Sequence, residues 1–193
     1  DSLRTGLVGH WTFDQPDTPG QGLTTYDRSG NGNSGVLTGG VARDIGRIGQ
    51  ALKFDGVDDY VDVTSPSNFP TGDFTYSAWI NLNTNTDESI IMIADGSGGD
   101  ELWMYVNSSK QLQLFLNNAS VATSNSTISN KTWTHIVATR SGSVVTIYLN
   151  GAQEATGSDG TALSFSTCSL LIGVEATATC TGSLTSYADG VID

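Results

Sequence analysis

Positive charge is scarce in this chain. Eight lysines and arginines stand against twenty aspartates and glutamates, a formal net charge of −12. That balance repels phosphate backbones and anionic lipid headgroups, which argues against nucleic acid as a partner. It concentrates cations, and either divalent ions or plain solubility accounts for it. Long apolar runs are lacking too. None approaches the roughly 18 residues of a membrane span, so no membrane insertion is expected. The first residues, DSLRT, have neither the basic nor the apolar region of a signal peptide, and a mature portion of a longer secreted or surface-anchored protein is the expectation. Cysteine is limited to Cys168 and Cys180. Neither Cys-x-x-Cys nor Cys/His zinc spacing exists. A local disulfide between them would close a short loop, contribute on the order of 3 kcal/mol and fit an oxidising compartment; the other reading is two reduced thiols that never meet. Runs of Ala, Leu, Glu and Lys that favour helix are missing as well.

What is abundant is glycine, at 23 of 193 residues, together with short clusters of Val, Ile, Thr, Tyr and Trp. The length suits one domain, large enough to bury about 70% of its unfolded surface. Four Asn-x-Ser/Thr sequons, at Asn107, Asn118, Asn125 and Asn130, carry little weight in a chain so rich in these residues. Period-two alternation predicts strands at 6–13, 33–39, 51–56, 59–63, 74–82, 89–95, 101–107, 111–117, 134–140, 144–151 and 169–173. Turn-forming Gly, Asn, Asp and Pro separate them. Such spacing predicts an all-β, two-sheet sandwich.

Three segments sharpen the expectation. FTYSAWINL sets Phe74, Tyr76, Ala78, Ile80 and Leu82 on one face and Trp79 on the other, a central strand with aromatic burial on both sides. WTHIVATRSGSVVTIYLNGAQ reads as a hairpin with its tip near Ser141-Gly142 and core residues Ile136, Ala138, Val145, Ile147 and Leu149. FDGVDDYV predicts a strand, a turn at Gly56 to Asp58 and a strand resuming at Tyr60. Asp55, Asp58 and Asp59 then lie at a sheet rim, bonded to nearby backbone or holding a cation.

In order, GLVGHWTFD, YDRSGNGNSGVL, GQALKFDGVDDYVDV, FTYSAWI, WTHIVATR, VTIYLNG, LLIG and DGVID resemble the laminin-G-like, concanavalin A-like jelly-roll domains, distant cousins of the pentraxins. The likeness spans residues 6–193, with 1–5 as a tail. It implies an all-β jelly-roll sandwich of two antiparallel sheets that commonly holds calcium, binds glycans or mediates adhesion, and is usually non-catalytic, in an extracellular or cell-surface setting. It also implies a further strand beyond the final Ile-Asp pair. This chain stops at Asp193, so the expectation is either a truncated sequence or another segment that completes the sheet, and the unpaired edge so exposed would be a site for strand addition.

The resemblance suggests two calcium positions. A structural ion would take Asp14, Asp27, Asn31, Asn33 and Asp193, although Asp27 and Asn31 are also ordinary turn formers. A ligand-binding ion would take Asp100, Glu101 and Glu175, where the pentraxin-like pattern has more acids than this chain retains. For glycan stacking the candidates are Trp103, Tyr105 and Tyr187. Trp103 and Tyr105 share one strand face and Leu102, Met104 and Val106 the other, so either the rings or the aliphatics face outward. An enzyme is not expected. No strand carries two or three acids alternating toward one cleft, and in DDYVD the side chains of Asp59 and Asp62 diverge. His10 and His135 read as packed or rim histidines. The expected function is an extracellular binding or adhesion module for a glycan or surface protein, within a larger surface protein. The alternatives are a structural displayed domain of a fibre or pilus-like assembly, and a glucanase-type hydrolase.

Overall fold

The segment from Thr134 to Leu149 shows why this chain folds as it does. Alternate residues Ile136, Ala138, Val145, Ile147 and Leu149 are buried, and Ser141 pairs with Val144 across a tight turn in which Gly142 has φ +60°. A period-two apolar pattern with a left-handed glycine at the tip can satisfy its backbone only as a hairpin. In the computed structural model, residues 5–14, 24–83, 86–94, 100–165, 168–177 and 183–193 are described, with no side-chain account of 100, 101 and 177.

Strands are numbered in chain order. The first sheet has eight, in the order β1 (Thr24–Thr25), β2 (Gly35–Thr38), β5 (Tyr60–Val63), β14 (Leu170–Ile172), β7 (Glu88–Ala94), β8 (Asp100–Val106), β9 (Leu112–Leu116) and β10 (Ala119–Thr123). The second has seven, in the order β13 (Ala152–Ser158), β12 (Val144–Leu149), β11 (Thr134–Ser141), β6 (Phe74–Leu82), β17 (Asp189–Ile192), β4 (Gln50–Asp55) and β3 (Ala42–Ile45). A separate hairpin joins β15 (Glu175–Thr177) to β16 (Ser183–Thr185). Every pairing is antiparallel, and no helix occurs among the described residues. This is the expected jelly-roll sandwich, with Phe54, Ile80, Leu102, Leu114 and Ile136 among the buried residues between its sheets.

The predicted strands differ from the observed ones in instructive places. The polar β13 (AQEATGS) and β10 (ASVAT) have no apolar alternation to announce them, yet they close one side of the sandwich. There Gly157 lies so close to Val121 that a Cβ would stand 1.6 Å from the Val121 carbonyl oxygen. Residues 6–13, expected as a strand, are not one. Phe13 has φ +56°, which ends the extended run, and the segment takes its backbone bonds from the 27–33 loop, as where the Arg28 N–H donates to the His10 carbonyl at 2.8 Å.

Among the described residues, the other side of the sandwich is open. β17 pairs with β6 only at Ile80–Leu82, and Asp193 extends the ladder by exchanging both backbone bonds with Trp79. From Phe74 to Ala78, β6 has β11 on one edge and no described strand on the other. Between that free edge and residues 5–14 lies a cleft of about 910 Å³ that reaches Ile90, Met104 and Ile172 of the opposite sheet.

Candidate functional site

The outward face of β6 builds the mouth of this cleft. Because side chains alternate along a strand, Ser77 and Trp79 point away from the core that holds Phe74, Ile80 and Leu82. His135 lies opposite Trp79 on β11, with ring centroids 4.9 Å apart and planes tilted 34°. Its Nε2 is 2.9 Å from the Ser77 hydroxyl. The Arg47 guanidinium stands 5.0 Å from the Trp79 ring centroid, a cation–π arrangement. Trp79 was expected to be buried; it is half-buried, because its covering comes from Arg47 and His135 rather than a second sheet. Inside the cleft the buried Tyr76 hydroxyl has no hydrogen-bond partner among the described residues, and burial raises its pKa well above the usual phenol value. An aromatic ring, an imidazole and hydroxyls lining a concave opening, with a guanidinium beside the ring, are groups that bind sugar faces and hydroxyls. Sequence reading missed this set. Trp79 was legible as an outward residue, but Arg47 is over thirty positions away and only the tertiary fold brings it in.

The expected structural-ion residues divide in two. Asp27 is saturated by donors. Its Oδ1 accepts the N–H groups of His10 (3.0 Å) and Ser29 (2.8 Å), and its Oδ2 accepts the Ser29 hydroxyl (2.7 Å) and the Asn33 N–H (3.0 Å). Burial opposes its charge, but the bonds from Ser29, His10 and Asn33 outweigh that and lower its pKa. The Asn31 amide donates to the Leu7 and Val8 carbonyls, and the Asn33 amide to those of Val8 and Ser67. Asn33 Oδ1 in turn accepts the Ser67 N–H. These residues clamp residues 7–10 to the 27–33 loop and keep no carboxylate oxygen in reserve for an ion. Asp14 and Asp193 sit apart from them, against the turn after β3. Asp14 Oδ1 accepts the Gln50 N–H at 2.7 Å, and Asp193 Oδ2 accepts the Ile48 N–H at 2.8 Å. Burial raises the Asp193 pKa, with the Asp14 charge adding to it. Asp14, Asp27 and Asp193 do not gather within 4.8 Å of one another. The residues do not converge into one donor set, and so do not fit a single calcium ion, whose oxygen ligands must surround one point.

The second expected position is only partly described. Residues 95–99 and the side chains of Asp100 and Glu101 lie outside the described residues. The Glu175 carboxylate accepts the hydroxyls of Thr185 (3.1 Å) and Ser186 (2.6 Å), which ties β15 to β16.

The choice posed for β8, rings out or aliphatics out, is replaced by a third arrangement in which both faces are buried. Leu102, Met104 and Val106 join the core between the sheets. Trp103 and Tyr105, each 7% exposed, form a second core on the sheet's outer face with Met92, Leu171 and Val174. Their rings stack with centroids 3.7 Å apart and planes within 7°. Trp103 Nε1 donates to the Ser89 hydroxyl and the Tyr105 hydroxyl to Gln113 Oε1, so the polar handles are spent as well. The β15–β16 hairpin supplies Ala176 and Leu184 to this cover, and Tyr187 packs at its margin. No sugar can stack on covered rings. Cys168 is buried in the same cluster and is not a free thiol; Cys180 lies outside the described residues.

At the opposite rim, the FDGVDDYV turn does not connect neighbours in one sheet. It carries the chain from β4 in the second sheet to β5 in the first. Asp55 Oδ1 accepts the Val57 N–H at 2.9 Å, and Asp59 Oδ2 accepts the Asp55 N–H at 3.0 Å. Backbone bonding therefore holds the turn, as one of the two expected readings had it. Nearby, the buried Glu88 accepts the Asp189 N–H at 2.6 Å, and burial, with the Asp189 charge adding, pushes its pKa up to about 7.

Comparison with known proteins places these features in context. The model of the Laminin_G_3 family, described as the concanavalin A-like lectin/glucanases superfamily, matches residues 55–193. Among solved structures, domain 4 of AbnA, a GH43 extracellular arabinanase from Geobacillus stearothermophilus, in complex with arabinotriose, is similar with TM-score 0.74 at 18% identity, over 97% of this chain and 89% of that one. A Trypanosoma rangeli sialidase in complex with the inhibitor DANA gives 0.63 at 15%, over 91% of this chain and 29% of that one. The heptameric SAP-like pentraxin from Limulus polyphemus gives 0.51 at 19%, over 64% and 62%. The chain thus spans less than a third of the sialidase. No curated protein matches the sequence. At these identities the solved structures establish the fold alone.

Proposed function

This chain belongs to the concanavalin A-like lectin/glucanase superfamily, and we propose that within it the domain is a non-catalytic carbohydrate-binding module. One observation carries the reading: Trp79, flanked by Arg47 and His135, stands half-exposed at the mouth of a 910 Å³ cleft. A sugar ring lies against the indole, and its hydroxyls meet Ser77, His135 and Arg47. The arabinotriose-bound arabinanase domain, similar over nearly the whole chain, supports an oligosaccharide ligand. Binding without hydrolysis is supported by the acids in the cleft. Asp14 and Asp193 each hold a backbone N–H of the neighbouring turn, which fixes them as scaffold rather than as a free acid and base. We place the domain outside the cell as part of a larger surface protein, with Cys168 paired to Cys180; that Cys168 is not a free thiol supports this setting.

The test is titration calorimetry against a panel of oligosaccharides, arabino-oligosaccharides among them, with a reducing-sugar assay in parallel. Binding without product is expected, and Trp79→Ala should weaken it roughly tenfold or more while the circular dichroism spectrum stays unchanged. Binding indifferent to Trp79, or release of product, refutes the proposal.

The open edge of β6 favours a second reading, a structural displayed domain whose cleft accepts an extended strand. A strand lying along Phe74–Ala78 would complete the ladder that β17 begins. Protection of the 74–78 amides from hydrogen exchange on adding an alternating apolar peptide would favour it over the glycan module.

A further inference from the structure

The turn between β4 and β5 brings three carboxylates together in a way turn formation does not require. Asp55, Asp58 and Asp59 each place an oxygen within 4.8 Å of the other two. Asp55 and Asp58 are exposed, but Asp59 is only 4% exposed. One of its oxygens, Oδ2, holds the Asp55 N–H; the other, Oδ1, is buried with no hydrogen-bond partner among the described residues. Leaving a buried carboxylate oxygen unsatisfied costs free energy, and the two acids beside it add repulsion. We propose that this turn is a calcium site, with Asp55, Asp58 and the orphaned Oδ1 of Asp59 as its carboxylate ligands and water completing the shell.

The chemistry of the donors selects the metal. All three are hard carboxylate oxygens with no nitrogen or sulfur among them, and they stand on an irregular turn open to solvent through Asp55 and Asp58. Calcium tolerates such irregular, water-completed geometry, whereas magnesium demands a near-ideal octahedron. A cation also answers an imbalance within the turn. The buried Asp59 carboxylate stands with two further carboxylates, whose nearest oxygens lie within 4.8 Å of its own. The turn is held in shape from behind: Gly39, with φ +86°, lies so close that a Cβ there would stand 2.1 Å from the Asp58 carbonyl oxygen. Because the turn passes from one sheet to the other, an ion bound there staples the two layers at the rim. The site is independent of the glycan reading and of the Asp14, Asp27 and Asp193 positions.

The experiment is thermal unfolding of the whole chain, freed of metal by chelation, titrated with calcium chloride. Terbium emission excited through tyrosine gives a second signal, since Tyr60 follows Asp59 and Tyr187 feels the charge of Asp58. Calcium should raise the melting temperature, by the stabilisation of about 2.7 kcal/mol expected at a hundred times its dissociation constant. Asp58→Asn and Asp59→Asn should each lose at least tenfold in calcium and terbium affinity, and Asp14→Asn should lose nothing. Asp58 is exposed, so its variant should fold and decides the matter if Asp59→Asn does not. No response of the parent chain to millimolar calcium overturns the proposal. So does a response that survives Asp58→Asn, or one that Asp14→Asn abolishes.

Discussion

Two turns of this molecule use aspartate carboxylates to hold backbone and differ in what they have left over. In the 27–33 loop, both oxygens of Asp27 are taken, by three backbone N–H groups and one hydroxyl. In the 55–59 turn, three acids share two short backbone bonds, and Oδ1 of Asp59 is left bare. The first turn is a finished clamp that fixes residues 7–10; the second is unfinished without a cation or a proton. An acidic cluster becomes a candidate metal site when its oxygens outnumber the donors that reach them. The number of acids alone does not decide it.

The largest effect should come from breaking the clamp. Asp27→Asn turns an acceptor into an amide whose NH₂ faces N–H donors, and a loss on the order of 2 kcal/mol is expected in urea unfolding. A change within a few tenths would mean that the clamp does not hold the N-terminal segment.

Next in size is the pH profile. The lowered pKa of Asp27 gives stability that is present above its ordinary value of 3.8 and lost as pH falls below it. A raised pKa works in the opposite sense. Glu88 contributes fully below 4.5, and that contribution is lost as pH climbs to about 7. Stability in chelator should therefore decline between pH 4.5 and 7, and Glu88→Gln should flatten that decline while leaving the acid limb in place. A profile flat from pH 4.5 to 7 in the parent chain would contradict the burial of an ionisable Glu88.

The smallest effect should be at the second turn. Asp59→Asn keeps an oxygen for the Asp55 N–H and removes a repelled charge. In metal-free buffer its stability should match the parent or exceed it by up to about 1 kcal/mol. A loss as large as that of Asp27→Asn would erase the distinction between the two turns.

Much of the scaffold was legible because alternation is a local signal. Phe74–Leu82 emerges as one strand with the expected residues facing inward, and the hairpin at 134–149 has its tip and core where the pattern puts them. The candidate site was far less legible. Asp27 and Asn31 have the residue types of a calcium loop, yet Asp27 is spent on its own loop and on His10, and the Asn31 amide on the Leu7 and Val8 carbonyls more than twenty positions away. Trp103 and Tyr105 alternate as a sugar platform would, yet a later hairpin and Cys168 cover them.

The amino-acid order by itself determined the all-β class, most of the strands and which residues line the inner faces, because side-chain direction along a strand reverses at every residue whatever surrounds it. Only the tertiary structure decided which acids keep a free oxygen, which aromatic rings remain partly exposed and where one edge of β6 has no partner strand among the described residues. Those outcomes depend on groups distant in the chain, such as Arg47 beside Trp79 and Asp193 against the turn after β3, meeting at one point in space.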